Sequence, residues 1–368
     1  MIDARHDLRF MAAALAVGRR NEGCTAPNPA VGAVLVREGP AGPVIVGAGV
    51  SAPGGRPHAE PLAVAEAGPL ARGATCYATL EPCSHFGKTP PCADALIAAG
   101  VGGVVVALED PNPEVAGRGI ARLTAAGIPV RSGVRREEAA WDMRGHLSRM
   151  SRGRPHVALK LALSAEGGIG RAGAGQVALS GDRSRARSHL LRATHDAIAV
   201  GVGTVLADDP QLTCRLPGLF ARSPVRVVFD TEARTPTDAA LFADTIAVVI
   251  VAAEDAPPAR VAALAARGAQ ILAVPRRGER LDLDAAMAAL GRHGITTMLL
   301  EGGAALASAM VAAELVDEAY VIETPTRLGE ASGIVRPFGG ATVAALSSRL
   351  SIDERSLVGD DLWTHLRM

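Results

Sequence analysis

The chain has 368 residues, 48% of them hydrophobic, and its 38 Lys plus Arg balance 38 Asp plus Glu to leave no formal net charge. That length and apolar content suit two cores rather than one. The missing charge surplus and an aromatic content of 3% exclude a general pull toward nucleic acid, an anionic membrane or stacked unpaired bases.

Residues 3–21 read as an opening helix with Phe10, Met11, Ala14, Leu15 and Gly18 on one face. Thr25-Ala26-Pro27-Asn28-Pro29 is a Pro-punctuated turn. Strands are expected at 31–36 and 44–46, a helix from His58 toward Ala67, and a strand over 74–79. Pro90-Pro91 predicts a further helix start, because proline suits the first helical turn. A buried strand at 104–108, a loop through Asp110-Pro111-Asn112-Pro113 and a helix at 119–126 complete a layered α/β domain. The basic, Gly/Pro-punctuated run Arg149–Pro155 is read as the boundary, giving domains 1–150 and 151–368. Five cysteines, an odd count, fit reduced thiols of a cytoplasmic protein better than a disulfide framework. Cys24, Cys76 and Cys214 are read as plain thiols. No signal peptide or membrane span is expected.

The chemistry of the first domain concentrates in Pro57-His58-Ala59-Glu60 and Pro82-Cys83-Ser84-His85 through Pro91-Cys92. One imidazole and two thiols with a nearby carboxylate fit a zinc site of three ligands, His58, Cys83 and Cys92, with one position left for water. Prolines before both cysteines place each in a first helical turn, where the helix dipole helps thiolate formation. Residues two apart do not share a face of a regular helix, so Glu60 is assigned to the water rather than the metal, as acid and base. A closed structural site would need a fourth protein ligand, for which His85 is the available residue.

In the second half the alternation restarts. Strands are expected at 157–163, 197–200, 225–229, 246–251, 270–274, 297–300, 318–323 and 361–366. Helices are expected at 182–194, 258–267, 283–292 and 304–313, and a Gly-rich loop at 167–175. Gly201-Val202-Gly203-Thr204-Val205 leads into Asp208-Asp209-Pro210-Gln211-Leu212-Thr213-Cys214-Arg215, a strand ending in a turn that exposes amides and a hydroxyl. Glu301-Gly302-Gly303-Ala304-Ala305-Leu306 joins a strand to a helix, a phosphate-binding design. It lacks Gly-x-Gly-x-x-Gly, so a dinucleotide-binding Rossmann domain is not supported.

The His-x-Glu and paired cysteines resemble the zinc nucleobase deaminases. Eight residues, 84–91, separate the cysteines, rather than the two usual in nucleoside and polynucleotide deaminases, and this insert resembles the riboflavin-pathway deaminases. The second half resembles the riboflavin-biosynthesis reductases. Together the two halves resemble, in order, the bifunctional deaminase–reductase family of that pathway. The resemblance implies a cytidine-deaminase-like three-layer α/β/α domain followed by a dihydrofolate-reductase-like α/β domain. It implies zinc-dependent deamination of a phosphorylated diaminopyrimidine and then NADPH-dependent reduction of the ribosyl group.

Residue by residue, the resemblance assigns Asn28 to the pyrimidine, His85 to the substrate and Lys88 to its phosphate. Lys160 lies near the reacting carbonyl. Ala162, Thr204, Asp208, Thr231, Gly302, Gly303, Ala304, Ala305 and Leu306 contact NADPH, while Arg192, Leu212, Arg215 and Glu301 contact substrate. The family usually has histidines where Ser51 and Leu62 stand, an aspartate at Glu166 and a tryptophan near Ala178. Pairing of reductase domains into a homo-oligomer is implied as well, with no nucleic-acid or membrane partner. The competing readings are a nucleoside or tRNA deaminase with an unrelated C-terminal domain, and a zinc-stabilised binding module that would need no Glu60.

Overall fold

A computed structural model describes residues 3–86, 90–112, 115–175, 177–329 and 332–368. The chain divides into two compact units, Met1–Arg152 and Gly153–Met368.

The apolar runs at 32–36, 75–78 and 103–106 of the first unit are buried on both faces and so pair in the interior of a sheet. Its elements are α1 (Asp7–Gly18), β1 (Gly32–Gly39), β2 (Gly42–Val50), α2 (Ala59–Ala67), β3 (Thr75–Ala78) and α3 (Cys92–Ala99). They continue with β4 (Gly103–Val106), α4 (Arg118–Ala125), β5 (Val130–Ser132), α5 (Arg136–Asp142) and α6 (Arg144–Arg152). The strand order is β2-β1-β3-β4-β5. β1 is antiparallel to β2 and β3, whereas β3, β4 and β5 are parallel. Glycine permits a close approach that matters for the site: a Cβ on Gly49 of β2 would lie 2.1 Å from the Ala59 carbonyl oxygen. Only Gly there lets the first turn of α2, which carries Glu60, lie directly on the sheet.

The first unit departs from the sequence expectation at several places, with β5, α5 and α6 not expected at all. The opening helix is α-helical only over Asp7–Gly18, with short 3₁₀ turns at either end. β2 runs the length of β1 because the antiparallel ladder carries through the Gly/Pro-rich segment. The basic run at Arg149–Arg152 is the last turn of α6 rather than a linker, a place where cations complement the helix dipole.

The second unit contains β6 (His156–Leu163), β7 (Gly170–Arg171), α7 (Asp182–Ala193), β8 (Ala197–Gly201), α8 (Val202–Asp208) and β9 (Val225–Phe229). Next come β10 (Val248–Ala253), α9 (Pro258–Ala266), β11 (Gln270–Val274), β12 (Arg276–Arg277), β13 (Arg280–Leu281) and α10 (Leu283–His293). It closes with β14 (Thr297–Leu300), α11 (Ala304–Ala312), β15 (Glu318–Glu323), β16 (Ile334–Val335), α12 (Thr342–Leu346), β17 (Ser351–Val358) and β18 (Asp361–Arg367). The nine-stranded sheet has the order β11-β10-β9-β8-β14-β6-β15-β18-β17. Its first seven strands are parallel, and β18 and β17 add an antiparallel edge. Runs such as Val248–Ala253 are wholly buried, as a parallel sheet covered on both faces requires.

This topology sets the site. β8 leads by α8 to β9 on one side, and its neighbour β14 leads by α11 to β15 on the other. Adjacent parallel strands whose connections leave in opposite directions open a crevice at their carboxyl ends, where ligands bind in open α/β sheets.

Candidate active sites

In the first unit His58 is the N-cap of α2, with extended backbone at φ −72° and ψ 167°. Glu60 is the second helical residue. The break in helical geometry at the cap lets two residues that a continuous helix would splay apart converge. Cys92 is the first residue of α3, capped by Pro91. Cys83 is not in a helical turn, contrary to the sequence expectation, but in coil beyond β3. It gains the same dipole from another helix, because the Cys92 backbone N–H at the start of α3 donates to Cys83 Sγ at 3.3 Å. His58 Nδ1 lies 3.2 Å from Cys92 Sγ and 3.6 Å from Cys83 Sγ. All three ligand atoms fall within 4.8 Å of one another.

One imidazole nitrogen and two sulfurs so close together are the donor set of a zinc site with one further position to fill. The electrostatics agree. The hydrogen bond between the Cys92 and Cys83 side chains is the main cause that pulls Cys83 down to about 4, with His58 and the Cys92 backbone N–H helping against burial. That same bond, with burial, pushes the Cys92 thiol up. His58 is raised, chiefly by its bond to Cys83. Glu60 is 3% exposed, and burial first, then the Cys83 thiolate, lifts its carboxyl to about 7. A carboxyl poised there beside the ligands exchanges protons near neutral pH.

The other residues assigned to this site divide. Asn28 donates from Nδ2 to the Gly55 carbonyl at 3.3 Å, which fixes its amide in the Pro-rich turn. His85 sits two residues past Cys83, and its buried Nδ1 has no hydrogen-bond partner among the described residues. Lys88 lies outside the described residues. Ser51 is consumed structurally: its Oγ accepts from Val31 N at 3.1 Å and its carbonyl from Asn21 Nδ2 at 2.8 Å.

Glu81 carries no signature in the sequence, yet it organises the cysteine segment. Buried at 3% exposure, it accepts backbone N–H bonds from Asp110, Gly117, Gly119 and Ile120 at 2.9–3.3 Å. It thereby anchors Pro82-Cys83 to the loop after β4 and to the first turn of α4.

In the second unit Thr204, Thr231, Glu301 and the turn after it follow the carboxyl ends of β8, β9 and β14, next to β6. Lys160 and Ala162 share the partly exposed face of β6, while Leu159, Leu161 and Leu163 point into the core. Glu301 follows β14. Arg192, in the last turn of α7, grips it twice, Nε to Oε1 at 2.8 Å and Nη2 to Oε2 at 2.9 Å. Lys160 Nζ is 3.6 Å from Oε2. Burial works to raise the Glu301 carboxyl, but Arg192 and Lys160 outweigh it and hold it at about 2.

At the switch-point crevice Thr204 Oγ1 accepts the Gly303 N–H at 3.2 Å and ties the β8 and β14 ends together. The amides of Ala304, Ala305 and Leu306 form the first turn of α11 and have no intrahelical acceptor. A helix N-terminus without a side-chain cap fits the phosphates of a dinucleotide. Asp208 ends α8 half-buried, its carboxyl raised by burial, and Thr231 follows β9 on the same sheet edge.

The segment after α8 is strained. Asp209 and Leu212 adopt left-handed φ values of 39° and 55°, costly for residues with a Cβ. Leu212 is buried in the core, so its contribution to the site is its main chain. Arg226, fully buried and unforeseen from sequence, holds the segment: Nε donates to the Gln211 carbonyl at 2.8 Å while Nη1 and Nη2 grip Asp244 at 2.7 and 2.6 Å. Arg215 stays exposed, and among the described residues its guanidinium has no ion-pair partner.

Comparison with known proteins follows the same division. Residues 4–108 match the family described as the cytidine and deoxycytidylate deaminase zinc-binding region. Residues 155–361 match the RibD C-terminal domain. The chain is 39% identical to riboflavin biosynthesis protein RibD of Escherichia coli, over 98% of this chain and 99% of that protein. It is 34% identical to the RibD of Aquifex aeolicus over 97% of each. Among solved structures, Acinetobacter baumannii RibD aligns over 99% of both chains with a TM-score of 0.86 and 33% identity. The Thermotoga maritima diaminohydroxyphosphoribosylaminopyrimidine deaminase/5-amino-6-(5-phosphoribosylamino)uracil reductase aligns over 99% of both with a TM-score of 0.83 and 29% identity.

Proposed function

Because this chain belongs to the RibD family of bifunctional riboflavin-biosynthesis deaminase–reductases, we propose a residue-level division of its two reactions. The first unit hydrolytically deaminates 2,5-diamino-6-(5-phosphoribosylamino)pyrimidin-4-one. The second reduces the ribosyl group of the resulting 5-amino-6-(5-phosphoribosylamino)uracil to ribityl. The observation that carries the assignment is the convergence of His58, Cys83 and Cys92 within 4.8 Å beside the buried carboxyl of Glu60.

In the deaminase, His58, Cys83 and Cys92 hold zinc, which when bound supplies the Lewis acidity that makes water a nucleophile near neutral pH. Glu60 takes the water's proton and returns protons to the ring nitrogen and the departing ammonia, a role suited to a carboxyl lifted to about 7. Asn28 and His85 orient the pyrimidine, and Lys88 meets the phosphate.

In the reductase, NADPH when bound supplies the hydride for the sugar C1′. Thr204, Asp208, Thr231, Ala162 and the turn from Gly302 through Leu306 line its crevice. Lys160 presents an ammonium proton to the opened sugar, and Glu301 keeps that ammonium oriented through their 3.6 Å contact. Arg192, Arg215 and the main chain at Leu212 take the phosphorylated ribose.

Homo-oligomerisation runs through the reductase unit. Its edge strand β17 supports this, being exposed along most of its length, with Ile352 at 44% and Leu357 at 76% exposure. No helix among the described residues is long and apolar enough to cross a membrane.

A coupled assay tests the division. Zinc-loaded protein given the diaminopyrimidine nucleotide and NADPH should release ammonia first and consume NADPH second. Ammonia release that leaves NADPH untouched would remove the reductase assignment.

A further inference from the structure

His189 lies one helical turn before Arg192 on α7, so the two side chains emerge on the same face. Between them they clasp three consecutive residues of the segment after α8. Arg192 Nη1 donates to the Thr213 carbonyl at 2.9 Å. The Cys214 thiol donates to the His189 carbonyl at 3.3 Å. The Arg215 backbone N–H donates to His189 Nδ1 at 3.2 Å. Of the three, only the last ties a side chain of α7 with no role assigned in either reaction to the main chain of a residue assigned to the substrate.

This bond fixes the ring's state. A backbone N–H only donates, so Nδ1 is the acceptor and the proton of the neutral imidazole sits on Nε2. A doubly protonated ring would have no acceptor and would lose the bond. Burial first, then Arg192 and Arg215, pushes His189 down to about 4, so the acceptor persists at physiological pH. Glu301 and the Thr213 backbone act in the opposite direction without overcoming these causes.

The clasp also sets the local charge. Lys160, Arg192 and Arg215 are three cations around the single carboxylate Glu301, three minus one leaving a surplus of two positive charges. A neutral His189 keeps the surplus at two, the complement of a phosphate monoester dianion. Burial first, then repulsion from Arg192, lowers Arg215. Without a tether at its main chain, the exposed Arg215 would be free to swing away from Arg192.

We propose that His189 is a positioning residue of the reductase, whose Nδ1 tethers the main chain of Arg215 and holds its guanidinium beside Arg192 to receive the substrate phosphate. The inference rests on the phosphate role proposed above for those two arginines.

The test compares His189→Ala, His189→Leu, His189→Asn and Arg215→Ala in the full chain with saturating NADPH. KM and kcat are measured for 5-amino-6-(5-phosphoribosylamino)uracil and for its dephosphorylated counterpart, together with inhibition by ribose 5-phosphate. His189→Ala and His189→Leu should raise KM for the phosphorylated substrate about 10-fold, the scale of one lost positioning hydrogen bond, with kcat changed less than about 2-fold. Ribose 5-phosphate inhibition should weaken in parallel, and the dephosphorylated substrate should not distinguish the variants. His189→Asn keeps an acceptor within similar reach and should restore most of the affinity. If His189→Ala does not fold, the contrast between Leu, which keeps bulk, and Asn, which keeps the acceptor, decides the matter. Equal losses for both substrates, or no rescue by Asn, would reduce His189 to packing and overturn the proposal. An effect of Arg215→Ala without one from His189→Leu overturns the tether alone. No effect from Arg215→Ala overturns the phosphate reading beneath it.

Discussion

Each unit buries one functional glutamate, and the two are driven in opposite directions. Glu60 has burial and a thiolate for company and rises to about 7. Glu301 is buried against Arg192 and Lys160 and falls to about 2. In the proposed division, identical side chains thus serve as a proton carrier in one site and a fixed anion in the other. The difference matches the chemistry. The proposed deamination uses its carboxyl to carry protons, whereas in the proposed reduction Lys160 gives the proton and the carboxylate only orients the cations around the substrate.

The largest way to break this contrast is to remove the first site's ligands. Cys83→Ser should lose zinc and cut ammonia release by about 10³-fold or more, while NADPH oxidation on supplied uracil substrate stays near wild type. Metal analysis with both assays checks it, and joint loss of the two activities would mean that the units do not work separately.

The second site breaks through its anion. Glu301→Gln leaves Arg192 and Lys160 without their counter-charge, which should cost the second unit about 3 kcal/mol by denaturant unfolding along with most reductase activity. The pH dependence sharpens the point. A carboxyl held at about 2 against an ordinary 4.5 adds stability that is fully present above about pH 4.5 and is lost as pH falls toward 2. The wild-type advantage over Glu301→Gln should therefore shrink across that window, and an advantage unchanged down to pH 2 would contradict the assignment.

A smaller effect is expected at Glu81. Gln there offers one acceptor oxygen and turns an NH₂ toward backbone donors. Zinc affinity should fall about 10-fold through displacement of Cys83, with reductase kinetics unaffected. Competition with a chromogenic chelator measures it.

The two sites were unequally legible in the sequence. Zinc ligands are marked by residue type and spacing, so His58, Cys83 and Cys92 could be named from the chain alone. Their geometry could not, since the same pattern placed Cys83 in a helical turn when its dipole comes from the start of α3. Alternating apolar runs marked most strands of both sheets. They missed the three-residue β5, the helices α5, α6, α8 and α12, and β17, an edge strand with no buried face to impose alternation. The second site joins residues 160, 192 and 301, and only resemblance brought those positions together. Glu81 and Arg226 were invisible because they act on main-chain groups far away in sequence, and no residue pattern marks a backbone partner. The switch point between β8 and β14 likewise exists only once strand order is known.

The central claim is that zinc held by three side chains and a proton carried by Glu60 are separable parts of one deaminase. Glu60→Gln, assayed for bound zinc and for ammonia release from the diaminopyrimidine nucleotide, tests this most directly. The account predicts that the metal is retained and that turnover drops by about 10²–10⁴-fold, the range of a lost general acid–base. Full zinc with undiminished ammonia release would contradict it.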